Sequence, residues 1–226
     1  MGDERDPSGR DGRHSGPRVR DMPGPRDVKG AVAPTLGVVL AWPYRVVLAG
    51  LYRANVRPWQ LTLLSLAANV VVGWLLLTGR RLLPGLLLAP AGVLDVYDGA
   101  IARLQGTASR AGGFLDSALD RVSDVIVFGC LFWSLAGQGN DAAAGLALAA
   151  LVLSFMVSQV RAEAEALHVP LTEGLVQRFE RYVALMIGLT APGALIPMLA
   201  LLTALGAATA VQRAGSAWQR LAASPA

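Results

Sequence analysis

The sequence predicts an all-α polytopic membrane protein, with six transmembrane helices after an N-terminal interfacial amphipathic helix. Three observations predict it. Hydrophobic residues make up 54% of the chain and the mean hydropathy is +0.47, too apolar for an ordinary soluble domain. Apolar stretches of about 20 residues, enough to cross a hydrocarbon core, recur from position 59 onward. None of them alternates as a membrane strand would, and a spanning backbone must satisfy its own hydrogen bonds, which leaves helices.

Residues 1–33 read as a disordered cytoplasmic tail. The first 30 hold seven basic and six acidic residues among many Gly and Pro, a mixture with little apolar surface to bury. The tail lacks the continuous apolar core of a secretory signal, and the adjacent pair Arg80 and Arg81 is internal, so membrane insertion falls to the first true span. Residues 34–214 form the membrane domain. From 34 to 55 the apolar residues are interrupted by Pro43, Arg45 and Arg53, which suits a helix lying along the interface. Spans are then expected at 59–78, 82–104, 112–136, 142–167, 179–190 and 193–212, the fifth being the shortest, with a C-terminal tail at 215–226.

Six spans place both termini on one side. Arg103, Arg110, Arg161, Arg178, Arg181 and Arg213 fall on that side, and the positive-inside rule makes it cytoplasmic, against the opposing pair Arg80 and Arg81. The expected location is the plasma membrane, with the functional residues facing the cytoplasm.

The net charge of +4 comes from arginines spread along the chain and the single Lys29. No basic motif with interleaved aromatics supports nucleic-acid binding; attraction to anionic lipid is the better reading. The lone Cys130 excludes a disulfide within the chain, and His14 and His168 are too far apart in sequence to suggest a His/Cys metal site. No period of 20 to 50 residues indicates a repeat architecture.

Against this apolar background stands a cluster of acids. Ten acidic residues follow the tail, and five of them, Asp95, Asp98, Asp116, Asp120 and Asp124, fall within thirty positions. Carboxylates at membrane depth are costly, so the cluster is a functional-site hypothesis in its own right. On a helix, Asp95, Asp98 and Ala102 share one face, while Gly112, Asp116, Asp120 and Asp124 step by four along another. Two helices can thus aim acids at one point. Hard divalent cations take oxygen ligands, and Mg²⁺ combines a few carboxylates with substrate phosphates. The competing reading is an ion network pairing the acids with Arg103, Arg110 and Arg121, or a non-catalytic cation-binding membrane protein; it leaves Gly99, Ala102 and Gly112 unexplained. Small residues let a helix backbone approach a nucleotide closely. Taken singly, they serve helix packing.

Together these positions spell D-x-x-D-G-x-x-A-R-x8-G-x-x-x-D-x-x-x-D, from Asp95, Asp98, Gly99, Ala102 and Arg103 to Gly112, Asp116 and Asp120. The pattern resembles, at every fixed position, the signature of the CDP-alcohol phosphotransferases, membrane enzymes that move a phosphatidyl-type group from a CDP-linked donor to an alcohol and release CMP. The resemblance implies Mg²⁺ or Mn²⁺, two ions, held by Asp95, Asp98, Asp116 and Asp120, with Asp120 also the general base. It implies that Gly99, Ala102, Arg103 and Gly112, with Arg110 beside them, hold the CDP-lipid donor, and that the enzyme is a homodimer. Asp124 lies outside the signature.

Residues 57 to 181 further resemble the actinobacterial phosphatidylinositol phosphate synthases. Ser109-Arg110, Leu115-Asp116, Asp120-Arg121-Val122-Ser123-Asp124 and Leu131-Phe132-Trp133 carry the likeness, as do the segment from Ser158 to Glu165 and Gln177-Arg178-Phe179-Glu180-Arg181. The resemblance implies CDP-diacylglycerol as donor, a polar, phosphorylated alcohol as acceptor, and Arg161, Arg178 and Arg181 as its phosphate ligands. Glu163 stands where those enzymes carry Arg, Phe179 where they carry Pro, and Gln177 where they carry Glu. These departures open the acceptor to alcohols other than inositol phosphate, glycerol-3-phosphate being the leading alternative.

Overall fold

The computed structural model describes residues 19–23, 33–169 and 178–223. Among them there are seven α-helices and no strand: α1 (Ala33–Arg53), α2 (Pro58–Leu77), α3 (Leu82–Leu104), α4 (Arg110–Gly137), α5 (Asp141–Ala166), α6 (Arg178–Thr190) and α7 (Leu195–Ala223). Four of these, α2, α3, α5 and α7, are long and apolar enough to cross a membrane. Helix α4 is long enough but carries Asp116, Asp120, Arg121 and Asp124 within its first fifteen residues, and α6 has 13 residues. The expected C-terminal tail is helical as far as Ala223, continuing α7 beyond position 212.

Local signals set the helix ends. Pro58 starts α2 at a position where its missing N–H costs nothing, and Gln60 reaches back to the Arg57 N–H at 2.9 Å. Ser109 caps α4 by accepting from the Gly112 N–H at 3.0 Å, and Asn140 caps α5 through Ala143. Gly79, Gly106, Gly139 and Gly193 lie in the left-handed region in the short connections that follow α2, α3, α4 and α6.

Helix α2 packs against both α3 and α4; α4 packs on α5, α5 on α7, and α6 fits between α3 and α7. Val72, Leu76, Leu88, Phe128, Leu131, Leu185 and Leu199 meet in the main core. Helix α6 comes close to α3 because Gly85 and Gly92 face it: a Cβ on Gly85 would lie 2.9 Å from Leu189, and one on Gly92 would lie 3.0 Å from the Tyr182 ring.

A second core joins α1, α2 and α3 through Leu48, Ala49, Leu61, Tyr97, Ala100 and Ile101, and Met22 completes it. The expectation of a disordered tail from 1 to 33 therefore fails at residues 19–23. Val19–Asp21 forms a 3-10 turn, and Met22 is only 2% exposed. One apolar side chain with a ready-made apolar seat is enough to fix a short segment whose average composition is polar. Residues 1–18 and 24–32 lie outside the described residues.

Candidate active site

The signature acids come within electrostatic reach of one another, as their spacing allows. Asp95 and Asp98 lie on the last turns of α3 and Asp116 and Asp120 on the first turns of α4, and their charges act on one another. Thr62 of α2 donates to Asp98 Oδ2 at 2.8 Å, anchoring this 4%-exposed carboxylate across the helix pair.

Arg178, the first residue of α6, lies among these acids. Its Nη1 donates to both Asp95 and Asp120, while Nη2 donates to the Tyr182 hydroxyl at 3.2 Å. Expected as an acceptor ligand, it is also the counter-ion of two signature acids.

The resemblance implies divalent metal here, and the donor set fits it. The candidate donors are hard carboxylate oxygens, Asp116 Oδ1 is buried without a hydrogen-bond partner, and a cationic group already lies between Asp95 and Asp120. Among the described residues, no three carboxylates are arranged to hold one ion as they stand. A metal held by Asp95 and Asp120 would compete with Arg178 for the same oxygens.

Two cavities flank the cluster. One of about 280 Å³ lies between α2, α3 and the start of α4. Gly99, Ala102, Arg103 and Gly112 line it with Asp98, Asp116, Thr62 and Trp59, so the predicted donor residues share one space. Arg110 does not line this cavity; it is exposed at the first position of α4, where the helix turns it away from Asp116. A Cβ on Gly112 would come within 3.2 Å of the capping Ser109 Oγ, and one on Gly99 within 3.4 Å of Arg103.

The other cavity, of about 210 Å³, lies between α4, α5, α6 and α7. Arg161, Arg178 and Arg181 all line it, beside Asp120 and Asp124. Arg181 donates to Asp124 Oδ2 at 2.8 Å, and Ser154 donates to the same oxygen at 2.7 Å. Arg161 pairs with Glu165 in an exposed contact at 2.7 Å. Glu163, expected to add negative charge among the arginines, instead accepts from Gln159 at 2.8 Å and does not line the cavity. Two steps along a helix from Arg161 rotate it by about 200°, away from the arginine.

Three lining residues were missed as binding groups. Arg213 of α7, 6% exposed, donates to the Val157 carbonyl at 3.1 Å; the sequence showed it only as a basic residue ending an apolar run. Arg121 donates to the Ser117 hydroxyl and carbonyl, and Ser158 lies one turn before Arg161. Arg121 adjoins the signature residue Asp120 and Ser158 lies one turn from Arg161, whereas Arg213, ten residues before the end of α7, carried no such local signal.

An all-helical bundle with one cavity at Asp98 and Asp116 and another at Asp120 and Asp124 frames the site. The chain belongs to the CDP-alcohol phosphatidyltransferase family, enzymes of phospholipid synthesis, whose sequence model matches residues 55–215. It is similar to phosphatidylinositol phosphate synthase of Corynebacterium glutamicum, at 34% identity over 64% of this chain and 68% of the relative. Archaetidylinositol phosphate synthase of Methanothermobacter thermautotrophicus is 39% identical over 64% of this chain and 74% of its own length. The crystal structure of Mycobacterium tuberculosis phosphatidylinositol phosphate synthase with CDP-DAG bound superposes with a TM-score of 0.69 at 30% identity, covering 76% of this chain and 92% of the other. A structure of the same enzyme in complex with manganese and citrate gives 0.67 at 29% identity, covering 76% and 87%.

Proposed function

We propose that this enzyme transfers a phosphatidyl group from CDP-diacylglycerol to a phosphorylated polyol, with inositol phosphate as the first candidate, and releases CMP. One observation carries the reading: the acid cluster is shared by two cavities of different character. The cavity bearing Gly99, Ala102 and Gly112 offers close backbone approach to the CDP portion, with Arg103 at its rim. The opposite cavity gathers Arg121, Arg161, Arg178, Arg181 and Arg213, a concentration of guanidinium forks suited to a phosphate. An alcohol held there faces the donor phosphorus across Asp120.

The acceptor hydroxyl oxygen attacks the lipid-side phosphorus in line. The new P–O bond forms as the bond to the CMP oxygen breaks, and the hydroxyl proton passes to the Asp120 carboxylate. Asp95, Asp98, Asp116 and Asp120 would hold Mg²⁺ or Mn²⁺, two ions by analogy, and the metal supplies charge stabilisation for the diphosphate and the leaving CMP. Thr62 keeps Asp98 oriented for that role. The relatives' names and the manganese-containing structure of one of them support this assignment.

Six crossings, made by α2 to α7 with α1 lying along the interface, put the site at the cytoplasmic face of the plasma membrane. The arginine bias of that face supports the orientation. A homodimer is proposed from the family resemblance. Glycerol-3-phosphate is the second reading of the acceptor, left open by Phe179 and Gln177, where the sequence leaves the inositol enzymes.

Purified enzyme with CDP-diacylglycerol and Mn²⁺, assayed for CMP and lipid product, tests the reading. Turnover with inositol phosphate and little with glycerol-3-phosphate is expected; the reverse preference replaces the acceptor. Absence of CMP release with any phosphorylated alcohol would sink the proposal.

A further inference from the structure

Behind Arg178 lies a chain of polar side chains outside the signature. Tyr182, one turn further along α6, is 2% exposed, and Asn69 and Ser65 of α2 are 0% and 1% exposed. The Tyr182 hydroxyl donates to Asn69 Oδ1 at 3.0 Å and accepts from Arg178 Nη2 at 3.2 Å; Asn69 Nδ2 donates to the Ser65 carbonyl at 2.9 Å. Ser65 Oγ in turn donates to the Ala91 carbonyl of α3 at 3.1 Å.

The direction of this chain is determined at every link. A backbone carbonyl only accepts, so the Asn69 amide must turn its NH₂ toward Ser65 and its oxygen toward Tyr182. The tyrosine hydroxyl has one proton, which goes to Asn69, leaving its lone pairs for a donor. Arg178 supplies that donor. The Tyr182 ring is fixed as well: its edge meets the α3 backbone at Gly92, and the Arg178 guanidinium carbon lies 5.1 Å from the ring centre. Tyr182, Asn69 and Ser65 are closed to solvent, so water cannot replace a missing link among them without a cavity to enter.

We infer that Tyr182 and Asn69 are positioning residues that set the guanidinium of Arg178 at the junction of the acid cluster and the arginine-lined cavity. They touch no substrate; they act through Arg178. The inference deepens the proposed function and rests on its reading of Arg178 as an acceptor-phosphate ligand. With Nη2 held by Tyr182, the guanidinium keeps its plane when Nη1 leaves Asp95 and Asp120, and it can present a fork to phosphate without a search over rotamers.

The test is a double-mutant cycle in the full-length enzyme, with CDP-diacylglycerol, Mn²⁺ and inositol phosphate, or glycerol-3-phosphate if that supports turnover instead. Y182F should raise the acceptor KM about tenfold, the size of one hydrogen bond to a charged group, and leave the donor KM within about twofold. N69L, which removes the far end while keeping the ring, should shift the acceptor KM in the same direction by about threefold. R178K should raise the acceptor KM by itself, and adding Y182F to R178K should change it no further. Full multiplication of the two effects, or equal changes in both KM values, would overturn the inference and leave Tyr182 a packing residue. If R178K leaves the acceptor KM unchanged, the acceptor-ligand reading of Arg178 fails; if R178K raises it while Y182F and N69L do not, the positioning inference alone fails. Should Y182F not fold, N69L and its double with R178K decide the same question.

Discussion

Asp95 of α3 and Asp120 of α4, twenty-five positions apart in sequence, share a single hydrogen-bond donor, Nη1 of Arg178 on α6. Three helices are thus tied at the edge of the arginine-lined cavity. Removing one partner of a largely buried ion pair leaves uncompensated charge, at a cost of about 3–5 kcal/mol where burial is complete and less where water reaches the group. Asp120, with a side chain 33% exposed, belongs to the second case.

Arg178→Gln should therefore lower the thermal stability of the metal-free protein in detergent. Mn²⁺ should recover part of the loss, because a cation bound to the folded state takes over the same carboxylates and stabilises by mass action. The variant should also bind Mn²⁺ more tightly than the parent, having lost its internal competitor. Thermal unfolding with and without Mn²⁺, together with a binding isotherm from the electron paramagnetic signal of free Mn²⁺, measures both. Weaker Mn²⁺ binding by the variant would contradict the competition.

Asp120→Asn should reduce the single-turnover rate of CMP release by a factor of about 100 or more, the lower range for loss of a general base. Donor affinity should change far less, since proton removal belongs to the transition state and not to binding. Rapid-mixing measurements of CMP release beside equilibrium binding of CDP-diacylglycerol separate the two. Loss of donor binding with unchanged chemistry would assign Asp120 to ground-state metal binding alone.

Ala102→Leu should raise the donor KM and leave the acceptor KM unchanged. Ala102 lines the cavity on the α2 side of the acids and none of the arginine-lined cavity, so added bulk fills only the first. Steady-state kinetics with each substrate varied in turn gives the comparison. An equal effect on both would mean that the cavities are not separate subsites.

Much of this architecture was legible because hydrophobic length and charge spacing are local properties. The starts of α2, α3, α4, α5 and α6 lie within two residues of the expected positions, and Asp95, Asp98, Asp116 and Asp120 act on one another as their helical spacing allowed. Gly99, Ala102, Arg103 and Gly112 share a cavity for the same reason. What local pattern does not carry is which distant element supplies a partner. Met22 is apolar in a polar tail, and only the seat formed by Leu48, Leu61 and Tyr97 makes it core. Arg178 was assigned to phosphate by resemblance, yet its contact with Asp95 and Asp120 depends on how α6 packs on α3. Arg110 and Glu163, both singled out through the resemblance, line neither cavity, because linear position does not say which way a helix turns a side chain.

Glu163→Arg should consequently leave the acceptor KM within about twofold. The residue is exposed, bonds to Gln159 on its own helix, and lies outside the arginine-lined cavity. An exposed charge facing water is screened and contributes little at a distance. A large fall in KM for inositol phosphate would instead show that α5 rotates or that Glu163 reaches the acceptor.

Arg213→Ala and Arg161→Ala form the sharper comparison, because both arginines line the acceptor cavity in different surroundings. Arg161 is 56% exposed and already pairs with Glu165 one turn away, so its attraction for a phosphate is shared with a carboxylate and weakened by water. Arg213 is 6% exposed and is braced by the Val157 carbonyl. A guanidinium held in place and shielded from solvent loses less entropy on meeting an anion, and its charge acts through a lower effective dielectric. Arg213→Ala should therefore raise the acceptor KM by about tenfold or more, the loss of at least one charge-assisted hydrogen bond, and Arg161→Ala by about threefold. The Arg161 contribution should fade between 0.05 and 0.5 M NaCl, following the shortening Debye length, while that of Arg213 persists. KM measured for both variants across that salt range tests the order and its cause, with thermal unfolding to verify that each variant is folded. If Arg161→Ala proved the costlier change at every salt concentration, the phosphate would be bound at the exposed end of α5, and the buried end of the cavity beside α7 would not be its seat.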